Sequence, residues 1–287
     1  MTAPPPEMIS TETCLVIVRG AGDLATGVMV RLHRAGFPVV ALEIAAPTTI
    51  RRTVAFSEAV FDGEAVVEGV RARRAKSPGE AMRVVRAGAI PVLVDPDCRS
   101  LDALCPRVLV DAIIAKRNTG TTASMAPIVI ALGPGFEAPR DAHAVVETNR
   151  GHGLGRVILA GSAEPNTGVP GIVAGHGTAR VVHARVAGIA RGIASIGDVV
   201  RAGTALLALR DPRTGAETVE VSPLDGVLRG LIRPGLAVPA GMKIADVDPR
   251  GRPEYCRTVS DKALAVAGGV LEAILSLGGR PPETRAD

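Results

Sequence analysis

A glycine-rich turn near the N-terminus has the clearest chemical potential in this sequence. Gly20-x-Gly22-x-x-Ala25 follows the apolar run 14–18 and precedes apolar residues at helical spacing. In this pattern one glycine makes a tight turn, the next lets the backbone approach a pyrophosphate, and the small third residue packs the helix on a strand. The helix N-terminus adds free N–H groups and partial positive charge. The turn predicts nucleotide binding, and a fold that has lost its nucleotide is the alternative.

Three neighbours of this turn and one acid further along belong to the predicted site. They are Asp23, Thr26, Gly27 and Glu43. Glu43 ends the next predicted strand, where an acid binds a ribose hydroxyl and favours NAD over NADP. Asp23 places a carboxylate beside the phosphate, which is unfavourable unless Asp23 caps the helix or binds a metal.

Two later loops follow strand-like runs, so in a parallel sheet they open into the same crevice. Lys116 and Asn118 follow the first run and are suited to a phosphate and to a sugar or base. Gly133 and Gly135 follow the second run, where they let the backbone approach the ligand. Ordinary solvated loops and plain turns are the alternatives.

A polar cluster lies further along the chain, at His143, Glu147, Asn149 and His152. Its spacing matches no metal motif, so a polar substrate loop containing Asn149 and His152 is favoured over a metal site. Cys256, next to Arg257, is the nucleophile candidate, and His152 is the acid–base candidate. A buried, inert cysteine is the alternative.

An internal repeat marks the C-terminal part. GxxVxxGxxL at 197–206 recurs as GxxVxxGxxI at 235–244, which predicts two interlocked sheets related by a pseudo-twofold. This β region resembles the biotinyl and lipoyl carrier fold. Its intervening turn, 210–217, contains no lysine, so no covalent lipoyl or biotin group is expected.

Composition narrows the class of protein. The 287 residues have a net charge of +4, aromatic residues make up 2%, and the basic residues are scattered, so nucleic-acid binding is not expected. A small anionic ligand suits this charge. No membrane span or signal peptide is predicted, and four cysteines without a CxxC pair suit a reducing compartment, so we expect a cytoplasmic protein.

These patterns predict an α/β protein: a Rossmann-like N-terminal domain with a parallel sheet, a C-terminal β domain resembling a biotinyl/lipoyl barrel-sandwich hybrid, and a terminal helix. The predicted boundaries are 14–136 for the nucleotide-binding domain, 137–179 for a connecting loop and hairpin region, 180–250 for the β domain and 258–278 for the helix. Gly268 and Gly269 inside that helix indicate close packing, with a homo-oligomer contact as one explanation.

Several long motifs together are similar to one known family. They are RGAGDLATGVMVRLHRAGF, VDAIIAKRN, ALGPGFEAPRDAHAVVETNRGHGLGRVI, PNTG and SDKALAVAGGVLEAIL. They resemble the selenium-dependent molybdenum hydroxylase accessory family, called the YqeB family. The resemblance implies a role in maturing molybdenum hydroxylases, with a hydroxylase or its other maturation factors as partners, and it implies no catalytic residue.

Three hypotheses about function follow. The first is an accessory factor that binds a nucleotide or a molybdopterin-type ligand at the Gly-rich loop and delivers it to an apo-hydroxylase. The second is an enzyme that uses a nucleotide of the ATP type to modify the molybdenum cofactor. The third is an NAD-dependent oxidoreductase. The first is favoured, because no convincing acid–base or nucleophile set is visible in the sequence.

Overall fold

The computed structural model describes residues 14–166, 168, 171 and 175–282, and a nine-stranded sheet forms its larger part. From edge to edge the strands are β10 (Val157–Ile158), β9 (Ala144–Val146), β7 (Ile128–Leu132), β6 (Val108–Asp111), β1 (Val16–Arg19), β2 (Val39–Glu43), β5 (Ile90–Val94), β4 (Val70–Ala75) and β3 (Glu64–Val67). Strands β9 to β4 run parallel, whereas β10 and β3 run antiparallel to their neighbours.

Helices cover both faces of this sheet, so the central strands are buried on both sides and read as continuous apolar runs. The helices are α1 (Asp23–Arg34), α2 (Ala59–Asp62), α3 (Pro78–Arg86), α4 (Leu101–Leu104) and α5 (Asp261–Ser276). One core joins α1 and α5 to the sheet, and a second core joins α3 to the opposite face. No helix within the described residues has both the length and the apolar character that crossing a bilayer requires.

The last helix packs on the first one. Ser260 caps α5 by accepting a hydrogen bond of 3.2 Å from the N–H of Ala263. A Cβ at Gly27 of α1 would lie 2.7 Å from the Cβ of Ala263, so glycine allows the two helices to approach closely. The C-terminal helix is therefore part of the core around the N-terminal strand.

Two four-stranded antiparallel sheets form the C-terminal two-sheet unit, with the orders β12-β19-β17-β14 and β16-β15-β13-β18. Their strands are β12 (Val181–His183), β13 (Gly188–Gly192), β14 (Val199–Val200), β15 (Ala205–Arg210), β16 (Glu217–Val221), β17 (Gly226–Leu231), β18 (Ala237–Val238) and β19 (Lys243–Asp248). A small separate pair joins β8 (Glu137–Ala138) to β11 (Gly161–Ser162).

The internal repeat explains how these two sheets interlock. Its glycines at 197, 203, 235 and 241 all adopt positive φ, from 80° to 105°, and each precedes a strand. The first copy supplies β14 to one sheet and β15 to the other, and the second copy supplies β19 and β18 in the same way. Each sheet therefore contains one strand from each copy.

The segment between β2 and β3 attaches the two-sheet unit to the large sheet. The backbone carbonyl of Ile50 accepts a hydrogen bond of 2.8 Å from the N–H of Leu231. The Nε of Arg52 donates to the carbonyl of Leu231, also at 2.8 Å. Arg233 forms ion pairs with Glu58 and Asp62. The two-sheet unit is thereby held over the carboxyl ends of the parallel strands.

The fold class predicted from the sequence is wrong as stated. The large sheet is mixed, because its two edge strands are antiparallel, and only three described helices exceed four residues. Residues of the predicted connecting region, 137–179, add β9 and β10 to this sheet. The C-terminal strands form two antiparallel sheets rather than a clear lipoyl-type barrel. Short edge strands such as β10 have too few residues for their pairing direction to be read from a single sequence.

Candidate functional site

A cleft lies at the carboxyl ends of the parallel strands, beneath the two-sheet unit. The chain passes from β1 to its neighbour β2, and later returns to the opposite side of β1 as β6, so the loops after β1 and β6 separate there. Such a divergence leaves a crevice at the strand ends. A cavity of about 380 Å³ occupies it, a size typical of small-molecule sites.

The Gly-rich turn forms the floor of this first cavity, and its two glycines differ in what requires them. Gly20 has φ of +93°, and a Cβ there would lie 3.0 Å from the carbonyl oxygen of Ala112. Gly22 has φ of −66°, and its Cβ would meet only the Thr49 hydroxyl, at 3.4 Å. The fold itself thus requires glycine at 20 but not at 22, where the missing side chain leaves the cavity floor open.

The N-terminus of α1 faces the same cavity. Gly22 is the N-cap residue, and no side chain caps the helix. Asp23, Leu24 and Ala25 of the first turn line the cavity. The first N–H groups of a helix have no partner within the helix, so this turn offers donors and partial positive charge to an anion.

Glu43 lines the cavity at the end of β2, but its carboxylate is bonded to the backbone. Oε2 accepts from the N–H of Ala21, and Oε1 accepts from the N–H of Ile44, both at 2.8 Å. Burial raises the pKa of the Glu43 carboxyl, and the two N–H groups oppose that rise. Glu43 therefore holds the glycine turn in place, which differs from the predicted role of binding a ribose.

Arg51 removes the electrostatic objection to Asp23. Its Nη1 lies 3.2 Å from the Asp23 carboxylate, and its Nη2 donates to the carbonyls of Tyr255 and Thr258. Arg51 is buried, and burial lowers its pKa while Asp23 raises it. The Asp23 charge is thereby compensated beside the turn, without the metal or helix cap that the sequence alone suggested.

A second cavity, of about 440 Å³, adjoins the first, and Asp23, Leu24, Arg51, Ile114 and Lys243 line both. Its wall includes eight side chains with cationic or imidazole groups. They are Arg51, Lys116, Arg150, Arg180, His183, Arg229, Lys243 and Lys262. Three carboxylates line it, those of Asp23, Glu164 and Asp246. The combined cleft is therefore predominantly basic.

Two residues of the predicted turn lie outside both cavities. The buried Thr26 hydroxyl accepts from the N–H of Phe56 at 2.9 Å and donates to the carbonyl of Ala21. Gly27 packs against α5. Both point into the core because helical periodicity turns them away from the floor. The structure thus places both residues in the core and not on the cavity surface.

The loop glycines after β7 and the amide after β6 also serve the protein itself. A Cβ at Gly133 would meet Thr148, and one at Gly135 would lie 2.5 Å from the Cα of Arg117. Asn118 accepts hydrogen bonds from two backbone N–H groups of its own loop, at 2.8 and 2.9 Å. None of the three lines either cavity, and their contacts position the loop.

The candidate residues of the later polar cluster lie in different parts of the structure. Asn149 lines the second cavity, where its amide donates to Glu164. His152 is exposed and lines neither cavity. His143 accepts from the N–H of Val129, at 2.9 Å, so it supports a strand. The linear clustering of these residues did not place them on one surface.

Cys256 is unsuited to the nucleophile role. The thiol is buried, at 2% exposure, and its nearest polar contact is the carbonyl of Leu228 at 3.8 Å. Burial raises its pKa, which disfavours the reactive thiolate.

Across the part of the chain that the structure describes, no group of three His, Cys, Asp or Glu side chains is arranged to hold a metal ion.

Several basic cavity residues were not predicted from the sequence, among them Arg51, Arg180, Arg229, Lys243 and Lys262. They come from the segment after β2, the two-sheet unit and the start of α5, far from the Gly-rich turn in sequence. One feature of the composition could have identified two of them. The chain has 29 arginines and only four lysines, and three of those lysines line the second cavity.

Comparison with known proteins places the chain in a family. It is 55% identical over 263 residues to the uncharacterized protein YqeB of Escherichia coli (strain K12), a match that covers 92% of this chain. Over that length the chain belongs to the YqeB family. The chain spans about half of the curated relative, 48% of its length. No family model matches the chain.

Solved structures give only distant similarity. A succinylglutamate desuccinylase/aspartoacylase from Rhodobacter sphaeroides aligns with 82% of this chain and 84% of its own, at 13% identity and a TM-score of 0.29. The ectoine utilization protein EutE (DoeB) from Ruegeria pomeroyi aligns with 81% of this chain and 56% of its own, at 12% identity and a TM-score of 0.24. These TM-scores are too low to transfer a fold or an activity to this YqeB-family chain.

Proposed function

We propose that this protein binds a nucleotide or a molybdopterin-type ligand at the Gly-rich turn, and acts as an accessory factor in the maturation of molybdenum hydroxylases. The open position at Gly22 is the observation that supports this most. Neither its φ nor its packing requires glycine, and the absent side chain leaves room for a phosphate against the N-terminus of α1. The maturation role rests on the resemblance of the sequence motifs to the YqeB family.

The walls of the first cavity suit the rest of such a ligand. Leu24, Leu42, Ile44, Ile50 and Ile113 line it above the polar floor. Ligand sites commonly combine apolar walls with a few placed polar groups. A flat base or pterin ring would be covered by these aliphatic side chains while its phosphate contacts the turn.

The two enzymatic alternatives receive less support. Modification of a cofactor by covalent catalysis needs an accessible nucleophile, and the Cys256 thiol is buried with a raised pKa. Recognition of NAD through an acid at the end of the second strand needs a free carboxylate, and both Glu43 oxygens accept backbone hydrogen bonds. Ligand binding and delivery requires neither group.

Calorimetry of the purified protein against ATP, CTP, NAD, NADP and molybdopterin-type nucleotides tests the binding step. We expect one of them to bind, and Gly22→Asp to weaken binding at least about tenfold, since it adds a side chain and a negative charge at the floor. Gly79→Asp is the matched control. It adds the same side chain to the first turn of α3, where a Cβ meets nothing within 4 Å.

Molybdenum hydroxylase activity tests the accessory role. In cells that lack the gene, the full-length protein should restore hydroxylase activity and cofactor content, and so should Gly79→Asp. Gly22→Asp should not. Restoration by Gly22→Asp would show that the Gly-rich turn is not used in maturation. Absence of binding to any nucleotide, in protein that unfolds cooperatively, would overturn the binding proposal.

A further inference from the structure

Three of the four lysines in this arginine-rich chain meet in the second cavity. Lys116 follows β6, Lys243 begins β19, and Lys262 lies in the first turn of α5. The fourth, Lys76, is exposed before α3 and lines neither cavity. Three segments that are distant in sequence thus each place a lysine, a rare residue in this chain, at the same cavity. Lysine differs from arginine in offering a compact, mobile ammonium charge.

The arginines around this cavity are matched by carboxylates. Arg51 pairs with Asp23 at 3.2 Å, and Arg150 pairs with Asp261 at 2.7 Å. Arg180 pairs with Asp246. Arg229 follows the same rule, with its Nε 2.9 Å from Asp246 and its Nη1 3.0 Å from Asp248. These ion pairs engage the carboxylates of Asp23, Asp261, Asp246 and Asp248.

The lysines are not matched in this way. Among the described residues, none of the three ammonium groups has an ion-pair partner within 4.0 Å, so the cavity holds excess positive charge. Burial lowers the pKa of Lys243, and nearby Arg180 and Arg229 add to that effect. Burial likewise lowers the pKa of Lys262, with Arg150 and Lys116 contributing. Asp246 and Asp23 oppose the shift at Lys243, and Asp23 and Glu147 oppose it at Lys262, without forming an ion pair with either amine.

Two arginines in the wall of the cavity each have a guanidinium nitrogen that lacks an acceptor. The Nε atoms of Arg51 and Arg180 are buried, and neither has a hydrogen-bond partner within the described part of the chain. The two residues are 7% and 6% exposed. A buried donor without a partner destabilises the fold, and more so when it is charged. The cavity therefore has unbalanced charge, and two arginines of its wall have unused buried donors.

From this arrangement we propose that the second cavity binds a second anionic group, a phosphate or a carboxylate, of the ligand whose first phosphate lies on the Gly-rich turn. Lys116, Lys243 and Lys262 bind that group. Lys243 lines both cavities and so lies between the two anionic ends. This inference rests on the proposed function, and it defines the ligand class as a molecule with two separated anionic groups.

Calorimetry with simple anions tests the second cavity directly. Pyrophosphate and inorganic phosphate are the phosphate probes, and citrate is the carboxylate probe, all titrated into the full chain. We expect Lys243→Gln and Lys262→Gln each to weaken binding of the preferred anion about tenfold, since each removes one charge-assisted contact. Lys76→Gln, the matched control, should bind as the unaltered protein does. The stronger of the two probe classes identifies the anionic group.

Thermal unfolding without ligand separates a binding role from a structural one. Because Lys243→Gln and Lys262→Gln remove unpaired positive charge, their melting temperatures should stay the same or rise. A fall in melting temperature together with unchanged anion affinity would show that the lysines stabilise the fold, and would overturn the inference.

Nucleotide titrations distinguish failure of this inference from failure of the proposed function. If nucleotide binds and is lost in Gly22→Asp, but the lysine variants bind nucleotide and anions normally, the second subsite is refuted and the first stands. If anions bind through the lysines while no nucleotide binds, the proposed function fails and the second cavity remains an anion site. If neither nucleotides nor anions bind, both fail.

Discussion

The carboxylate of Glu43 accepts a hydrogen bond of 2.8 Å from the backbone N–H of Ala21, in the middle of the Gly-rich turn. The other oxygen of the same carboxylate accepts from Ile44. One side chain at the end of β2 therefore fixes the loop after β1. Its position relative to the turn is the one expected from the sequence, but its partner is the backbone of the protein.

Glu43→Gln should destabilise the protein by about 1–3 kcal/mol, because a carboxamide can accept only one of the two hydrogen bonds and places N–H against N–H at the other. Urea unfolding measures this. Glu64→Gln is the control, since Glu64 forms only exposed ion pairs with Arg71 and Arg73 and should change stability by less than about 1 kcal/mol. Equal effects of the two variants would contradict the structural role of Glu43.

The difference in stability between the unaltered protein and Glu43→Gln should depend on pH, because burial raises the pKa of Glu43 in the folded state. A raised pKa in the folded state means that the folded protein holds this proton more tightly than the unfolded chain. The stabilisation is present below the unfolded pKa and is lost as pH rises through the folded pKa. The stability advantage of the unaltered protein over Glu43→Gln should thus shrink as the pH rises above about 4, where an ordinary glutamate ionises, and through the higher pKa of Glu43 in the folded protein. A growing advantage would contradict this sign.

Substitution by alanine should affect stability much more at Gly20 than at Gly22. Gly20→Ala should lose about 2 kcal/mol or more, because φ of +93° is unfavourable for alanine and the Cβ would lie 3.0 Å from a carbonyl oxygen. Gly22→Ala should change stability by less than about 1 kcal/mol, because its φ is ordinary and its Cβ has room. Chemical denaturation separates them, and a large loss in Gly22→Ala would show that the fold needs this glycine.

Asp23→Asn should weaken the fold and strengthen ligand binding. Arg51 would keep a buried charge without its partner, at a cost of about 1–3 kcal/mol given that the Asp23 side chain is 33% exposed. The turn would also gain net positive charge, so the ligand-induced rise in melting temperature should increase. Asp97→Asn, which removes only an exposed pair with Arg99, should do neither. A smaller ligand-induced rise in Asp23→Asn would contradict the neutralising role of Arg51.

The paired glycines of α5 allow a comparison of adjacent positions in one helix. A Cβ at Gly269 would lie 2.1 Å from the carbonyl oxygen of Gly155, whereas a Cβ at Gly268 would meet nothing within 4 Å. Gly268→Ala should stabilise the protein by up to about 1 kcal/mol through helix propensity. Gly269→Ala should destabilise it by at least about 2 kcal/mol through overpacking. Thermal melts of the two variants decide the matter, and equal melting temperatures would refute this packing.

Alkylation should distinguish the exposed cysteine from the three buried ones. Cys105 is exposed, whereas Cys14, Cys98 and Cys256 are buried and burial raises their pKa values. Iodoacetamide at neutral pH should modify Cys105 in the native protein and all four residues in urea, as read by mass spectrometry. Modification of native Cys256 as fast as Cys105 would restore it as a nucleophile candidate.

The sequence predicts local elements well where one periodicity dominates. The run ending in β1, the turn, and the apolar face of α1 follow from spacing alone. Residues 53–72 are the opposite case: they contain α2 followed by the hairpin of β3 and β4, which turns at Glu68 and Gly69 with positive φ. Two short elements in succession give no sustained period to read.

Only the part of the site formed by the ends of the parallel strands could be predicted from the sequence. Lys116 could be grouped with the Gly-rich turn because β-sheet topology brings the ends of parallel strands together, whereas Asn149 was predicted only from a cluster of polar residues in the sequence. The contributions of Lys243 and Lys262 depend on how the two-sheet unit and α5 dock, which is a tertiary relationship with no local pattern. The Gly268–Gly269 pair did indicate close packing, although Gly269 meets Gly155 of the same chain rather than another subunit.

The packing of α5 on α1 has a consequence for synthesis on the ribosome. The apolar face of α1, with Val28 and Met29 fully buried in the finished protein, belongs to the same core as Val266 and Val270 of α5. A nascent chain that has reached only residue 250 would hold β1, α1 and the whole two-sheet unit but would leave uncovered the part of α1 that packs on α5. The Gly-rich turn is thus encoded first, but its helix gains its helical packing partner only when residues 261–276 emerge.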